Sequence, residues 1–443
     1  MKPKNLTKTS WGIFTCIVLL AMLMTACGPA ATPPPAATEA MPAAEEPVAL
    51  RITTWSSNEA HMNLLNGIAD EYRQTHPNVS VKFEPIPFGD YVSKLTVQLA
   101  GSNPPDAGWI VDSTAPTFIQ AGVMMDLRPT LENFEGYDLA DYAEGPMKLW
   151  VSGDAIYGVP FSTSPYIIFY NIDMFNAAGV DTPDKLLEQD KWTWDELRAA
   201  AKTIKEKTGN YGFESYDGQI YRERMWNTMG SVMKAFGGQA WNDAGTQCTF
   251  NQPGAVAAFQ FIHDMTFIDK SHVPPGEVAD FFSGLSAMQL AQLSRTAKLT
   301  DATFKWDIAP LPSGPAGYQP TSGQAAFVVF NNSPNKEVAA DFIAFMTNKD
   351  NVAKLAQFFP PARKSVLDSD AFLNSNPLVS PESMKKAVAD SILTGTVEAV
   401  HPEFPKIDLA ARAEIDNLWV PDADVQAVMD KTCEAIQPLM LAP

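Results

Sequence analysis

Residues 50–100 read LRITTWSSNEAHMNLLNGIADEYRQTHPNVSVKFEPIPFGDYVSKLTVQLA, and their periodicity sets the fold class. Residues 50–55 form a β-type run. Leu64, Leu65, Ile68 and Tyr72 then fall at spacings of three and four, which places them on one face of a helix. Pro77 ends that helix, Val79, Val81 and Phe83 alternate as a second strand, and residues 91–99 return to helical spacing. Strand, helix, strand, helix is the order of a layered α/β domain with a largely parallel sheet.

Upstream of this block, Lys2, Lys4 and Lys8 precede an apolar run at 11–24, which breaks into Thr25-Ala26-Cys27-Gly28. Basic residues, an apolar run and small residues, in that order, predict a secretory signal over 1–26. The run is shorter than the ~20 apolar residues of a spanning helix, which favours cleavage over a transmembrane anchor. Met24-Thr25-Ala26-Cys27 also resembles the lipobox of bacterial lipoproteins, which implies that Cys27 is lipidated; an ordinary signal with an incidental cysteine is the alternative. Residues 27–47, rich in Pro and Ala, then read as a disordered tether.

The body from residue 48 onward is too long for one small domain and fits two lobes. The chain is 46% hydrophobic and 10% aromatic, a composition that builds cores and excludes wholesale disorder. Its net charge of −19 argues against nucleic acid and anionic lipid surfaces as partners. Of the four cysteines, Cys16 leaves with the signal and Cys27 is assigned to lipid. Cys248 and Cys433 remain, and spacing leaves open whether they pair or stay as buried thiols.

Further along, Thr193 with Glu196 forms a capping box ahead of Leu197, Ala201 and Ile204, and Gly209 closes that helix. Asn251 with Pro253, Ser333-Pro334 and Asn348 mark further helix starts. Pro310 to Pro320 and Pro360-Pro361 separate these blocks, and no fixed-period repeat points to a solenoid or propeller.

Several short segments, in order, resemble the extracellular family 1 solute-binding proteins of ABC importers, the maltose-binding-protein-like group that mostly binds sugars. They are Pro104-Pro105-Asp106, Gln120-Ala121-Gly122 with Asp126-Leu127, and Tyr157-Gly158-Val159-Pro160 followed by Ile168-Phe169-Tyr170-Asn171. Trp192-Thr193-Trp194-Asp195-Glu196-Leu197, the segment from Phe282 to Met288, Ala309-Pro310-Leu311-Pro312 and Pro361-Ala362-Arg363-Lys364 continue the series. One departure stands out. Where the family often carries Gly-x-Trp after this Ala-Met, the chain reads Met288-Gln289-Leu290-Ala291-Gln292-Leu293-Ser294-Arg295, an amide-rich and partly cationic stretch.

The resemblance implies an α/β, two-lobed periplasmic-binding-protein-like fold of type II, each lobe a mixed sheet flanked by helices. Residues 48–158 and 326–358 would form the N-lobe, and 159–325 and 359–443 the C-lobe. Hinge crossings are expected near 158–161, 323–326 and 359–362. It further implies a monomer, lipid-anchored outside the cytoplasm, that captures a mono- or oligosaccharide without a cofactor and passes it to ABC permease subunits. Such a site needs aromatic planes for sugar C–H faces and fixed polar groups for hydroxyls. The residues offered at strand ends and crossings are Trp55, Glu59, Asp112, Ser113, Ser162, Ser164, Tyr166, Trp226, Asn227, Gln292, Gly323, Gln324 and Arg363. Each has a structural alternative: Trp55 and Trp226 as core aromatics, Asp112 as a helix cap, Arg363 bonded to backbone carbonyls.

His61, His76, His263, His272 and His401 are dispersed, and neither metal-ligand spacing nor a nucleophile elbow nor a phosphate-binding loop occurs. Two alternatives stay open: the same fold binding a polyamine, peptide or sugar phosphate, and an extracellular glycoside hydrolase, which needs two carboxylates across a cleft.

Overall fold

The computed structural model describes residues 46–215, 221–397 and 400–440, so the signal segment, Cys27 and nearly all of the tether lie outside the described residues. Its strands are β1 (Val48–Thr54), β2 (Val79–Pro85), β3 (Ala107–Val111), β4 (Val151–Ser152), β5 (Ala155–Ile156) and β6 (Val159–Asn171). They continue with β7 (Met288–Gln292), β8 (Trp306–Ala309), β9 (Thr321–Val329) and β10 (Thr396–Val397). β1 runs parallel to both β2 and β3, with Ile52 opposite Phe83 and Ala107. β9 closes on β3 in antiparallel register and pairs β6 on its other side.

The opening block folds as its periodicity dictates. Helix α1 (Glu59–Thr75) is capped by the Asn58 side chain, which accepts from the Ala60 and His61 N–H groups, and its Leu65, Ile68 and Tyr72 are buried. Helix α2 (Phe88–Ala100) buries Tyr91, Leu95 and Leu99. In the later helix Trp194–Thr208, Thr193 Oγ1 accepts from the Glu196 N–H at 3.2 Å, and Gly209 ends it in the left-handed region at φ 78°.

β6 is the strand that organises the molecule. All thirteen of its residues are buried. Val159 and Phe161 belong to a first apolar core with Leu50, Trp109, Phe327 and Phe342. Beyond a bulge between Pro160 and Ser162, the strand serves two more cores, as its two-residue period requires. Tyr166, Ile168 and Tyr170 face a second core with Trp194, Ile262 and Met429, while Ile167 and Phe169 face a third with Phe281, Val366 and Met384. Separate cores fed by one strand suit the two-lobed architecture. Cys248 and Cys433 form a disulfide across 185 residues, tying the helix Val425–Met440 to the segment ahead of the helix Pro253–Phe267.

Candidate functional site

Three segments converge on Thr163. It pairs with Gln324 across β6 and β9, and its N–H donates to the Pro360 carbonyl at 2.8 Å. Beside this junction lie the ends of β1 and β3. In open α/β sheets the carboxyl ends of parallel strands are where loops leave room for a ligand.

Asp112 sits at the end of β3 and is 2% exposed. Its Oδ2 accepts from the Gln324 N–H at 2.6 Å and its Oδ1 from the Ser113 N–H at 2.7 Å. Burial pushes its carboxyl up to about 6, against the pull of those two N–H groups. Gln324, 4% exposed, donates from Nε2 to Thr163 Oγ1 at 3.2 Å, and its Oε1 has no partner among the described residues. Gln292 lies opposite Tyr166 across β6 and β7 and donates from Nε2 to the Ser164 carbonyl at 3.0 Å. Gly323 allows this crowding, since a Cβ there would stand 2.8 Å from Gln292 Nε2 and 3.1 Å from the Tyr166 hydroxyl.

These groups line a small central cavity of about 80 Å³ together with Trp55, Ser113 and Ser162. Two wider arms open from it, and Trp55 borders both. One, about 350 Å³, runs past Ser56, His61 and Arg295; the other, about 220 Å³, runs past Trp226, Phe404 and Arg412. Trp55 is half-buried, edge-on to Tyr91 at 5.2 Å and Trp109 at 4.9 Å. It is therefore at once a cleft wall and part of the first core. Fixed amide, carboxylate and hydroxyl groups beside an indole can hold a polyhydroxylated ring.

The expected site residues divide accordingly. Trp55, Asp112, Ser113, Ser162, Tyr166, Gln292, Gly323 and Gln324 come together around one cavity, with Ser164 touching it through Gln292. Trp226 lines the second arm against Phe404, at 5.4 Å between ring centroids, whereas the Asn227 side chain lies outside the described residues. Glu59 is exposed in the first turn of α1 and lines none of these cavities, where its charge suits the helix dipole. Arg363 is a correction as well. It is 1% exposed, donates to the Thr347 and Asp138 carbonyls at 3.1 and 2.8 Å, and lies over Tyr137 and Tyr142. A guanidinium so clamped braces the third crossing from behind.

Phe88, Phe161, Ser294 and Phe359 also line the central cavity. The signal for two of them was their place inside the crossings at 158–161 and 359–362. Ser294 lies in the amide-rich stretch that follows Ala287-Met288, and Phe88 carried no signal.

Residues 55–353 match the family model described as bacterial extracellular solute-binding protein. The chain belongs to this family. Among its relatives, a binding protein of Brucella abortus is 27% identical over 337 residues, covering 70% of this chain and 75% of that one. An arabinooligosaccharide-binding protein of Bacillus subtilis is 23% identical over 388 residues, covering 83% and 85%. The fold is that of the ABC substrate-binding protein from Listeria monocytogenes in complex with cycloalternan, with TM-score 0.77 and 23% identity over 89% of this chain and 99% of that one. These relatives of the solute-binding protein are binding proteins, not enzymes. Among the described residues, no helix is long and apolar enough to cross a membrane.

Proposed function

We propose that this solute-binding protein captures a mono- or oligosaccharide in the cleft and delivers it, chemically unchanged, to the permease of an ABC importer. The observation that carries the proposal is the central cavity, where Asp112, Gln324 and Gln292 are held beside the indole of Trp55. The sugar ligands named for its relatives support the same solute class.

Residues 48–158 and 326–358 form one lobe and 159–325 and 359–443 the other, hinged where Thr163, Gln324 and Pro360 meet. A ligand that touches both lobes stabilises the closed arrangement by its differential affinity for it. Cleavage of the signal and lipidation of Cys27 anchor the monomer outside the membrane, with residues 28–47 as tether.

A thermal-shift screen of the full chain against saccharides tests this. A ligand at about 100 times its dissociation constant adds roughly 2.7 kcal/mol, a rise of a few degrees. A shift with one sugar class, and recovery of that sugar intact, is the expected result. A shift with none, or a hydrolysed sugar, contradicts it.

A further inference from the structure

The central cavity carries one sign of charge. Among the described residues its lining holds the Asp112 carboxylate and no Lys, Arg or His. Asp112 is 2% exposed, and its carboxyl feels burial and the Gln324 and Ser113 N–H groups, with no cationic side chain close enough to act on it. Lys234, which lines a smaller neighbouring cavity with Asp112, donates instead to Thr396 Oγ1 at 2.5 Å. With its carboxyl at about 6, Asp112 is chiefly ionised at pH 7. The two N–H groups take one lone pair on each oxygen and leave the others unused. A buried carboxylate without a counter-ion is costly, and a cationic ligand supplies the missing partner.

Neutral groups beside it are oriented to accept. Gln292 Nε2 donates to the Ser164 carbonyl at 3.0 Å, and because a carbonyl only accepts, this bond fixes which end of the amide is which. Its Oε1 is left without a partner among the described residues. Gln324, 4% exposed, likewise leaves its Oε1 unpartnered. Trp55, Phe88, Phe161, Tyr166 and Phe359 bring five aromatic rings to the same lining, and their π-electron clouds attract cations. A ligand hydroxyl satisfies acceptors but leaves the carboxylate charge unmatched, whereas an ammonium brings three N–H donors and the opposite charge together. The cavity of about 80 Å³ holds two or three water-sized groups of about 30 Å³ each. That is room for one substituent and the carbon that bears it, with the rest of a sugar ring reaching into the wider arms.

Resting on the saccharide reading above, we propose that the ligand is an amino sugar whose ammonium sits in the central cavity, paired with the Asp112 carboxylate and donating to Gln292 Oε1. Asp112 follows β3 and Gln292 ends β7, which fall in opposite lobes of the division given above. The ammonium thus adds to closure as well as to affinity. The net charge of −19 favours the approach of such a cation at long range.

The test is calorimetric titration of the full chain at pH 7 with matched sugars. Glucose is set against glucosamine and N-acetylglucosamine, galactose against galactosamine and N-acetylgalactosamine, and cellobiose against its diamino and di-N-acetyl forms. In a series that binds, the amine is expected to bind about 10-fold more tightly than its hydroxyl counterpart. The N-acetyl sugar, which keeps the nitrogen and loses the charge, should bind no better than the hydroxyl one. Asp112→Asn, with its melting temperature measured without ligand, should bring the amine-to-hydroxyl ratio toward one; if that variant does not fold, the three-way comparison in the unaltered protein decides alone. Equal or stronger binding of the hydroxyl or N-acetyl sugar overturns the ammonium site and leaves the saccharide reading standing, as does a preference that survives Asp112→Asn. Failure of every sugar, charged and neutral, overturns the saccharide reading and the ammonium site with it.

Discussion

Among single residues, the buried titratable groups set how the protein responds to acid. His272 is fully buried; the Ser215 N–H donates to its Nε2 at 3.3 Å, so Nδ1 carries the ring proton and donates to Thr266 Oγ1 at 2.9 Å. Burial lowers its imidazole from 6.5 to about 3. Between those values the unfolded chain holds a proton that the folded protein does not, so stability is lost as pH falls through the window. His61, lowered to about 4, acts in the same direction. Asp112, raised from 3.8 to about 6, acts oppositely, because there the folded protein holds the extra proton and stability falls as pH rises. Two histidines against one aspartate predict net destabilisation from pH 6.5 to 4.5. His272→Gln, which keeps an acceptor for Ser215, should flatten that dependence by up to about 1.4 kcal/mol per pH unit in denaturant unfolding. An unchanged slope would mean that His272 takes up its proton without unfolding. None of this was legible in the sequence, where the five histidines look alike; burial at 272 comes from residues distant in the chain.

The strand pair β6 and β9 is the element on which the cleft depends. Its tolerance is set at Gly323, where any side chain meets Gln292 and Tyr166 from the neighbouring strands. Gly323→Ala should displace the Gln292 amide from the Ser164 carbonyl and weaken ligand binding by about tenfold, at a cost in folding of about 1–3 kcal/mol. A titration showing wild-type affinity would mean that Gln292 takes no part in binding. The strands and helices of the opening block were legible because each buries one periodic face. The service of β6 to three cores was not legible, since over Ile167–Phe169 both alternating faces are apolar and no polar residue marks where one core gives way to the next. Arg363 misled for a related reason. Its position next to a crossing could be read from the sequence, but the direction of its side chain, toward Tyr137 and Tyr142, is fixed by residues 138–142 and 347.

For the molecule as a whole, the Cys248–Cys433 disulfide joins positions 185 residues apart and so restricts the unfolded chain strongly. Replacing both cysteines by Ala should lower stability by about 3–5 kcal/mol in reversible unfolding, and an unaltered transition would show that the bridge is not formed in the protein. Spacing alone could not pair these cysteines, because their proximity is a product of the helix Val425–Met440 returning to the second core. The central claim is that a saccharide draws together two lobes hinged at Thr163, Gln324 and Pro360. Small-angle X-ray scattering of the full chain, with and without a saturating saccharide identified by the thermal-shift screen, measures this directly. The account predicts a smaller radius of gyration with ligand; identical scattering curves at saturation would contradict it.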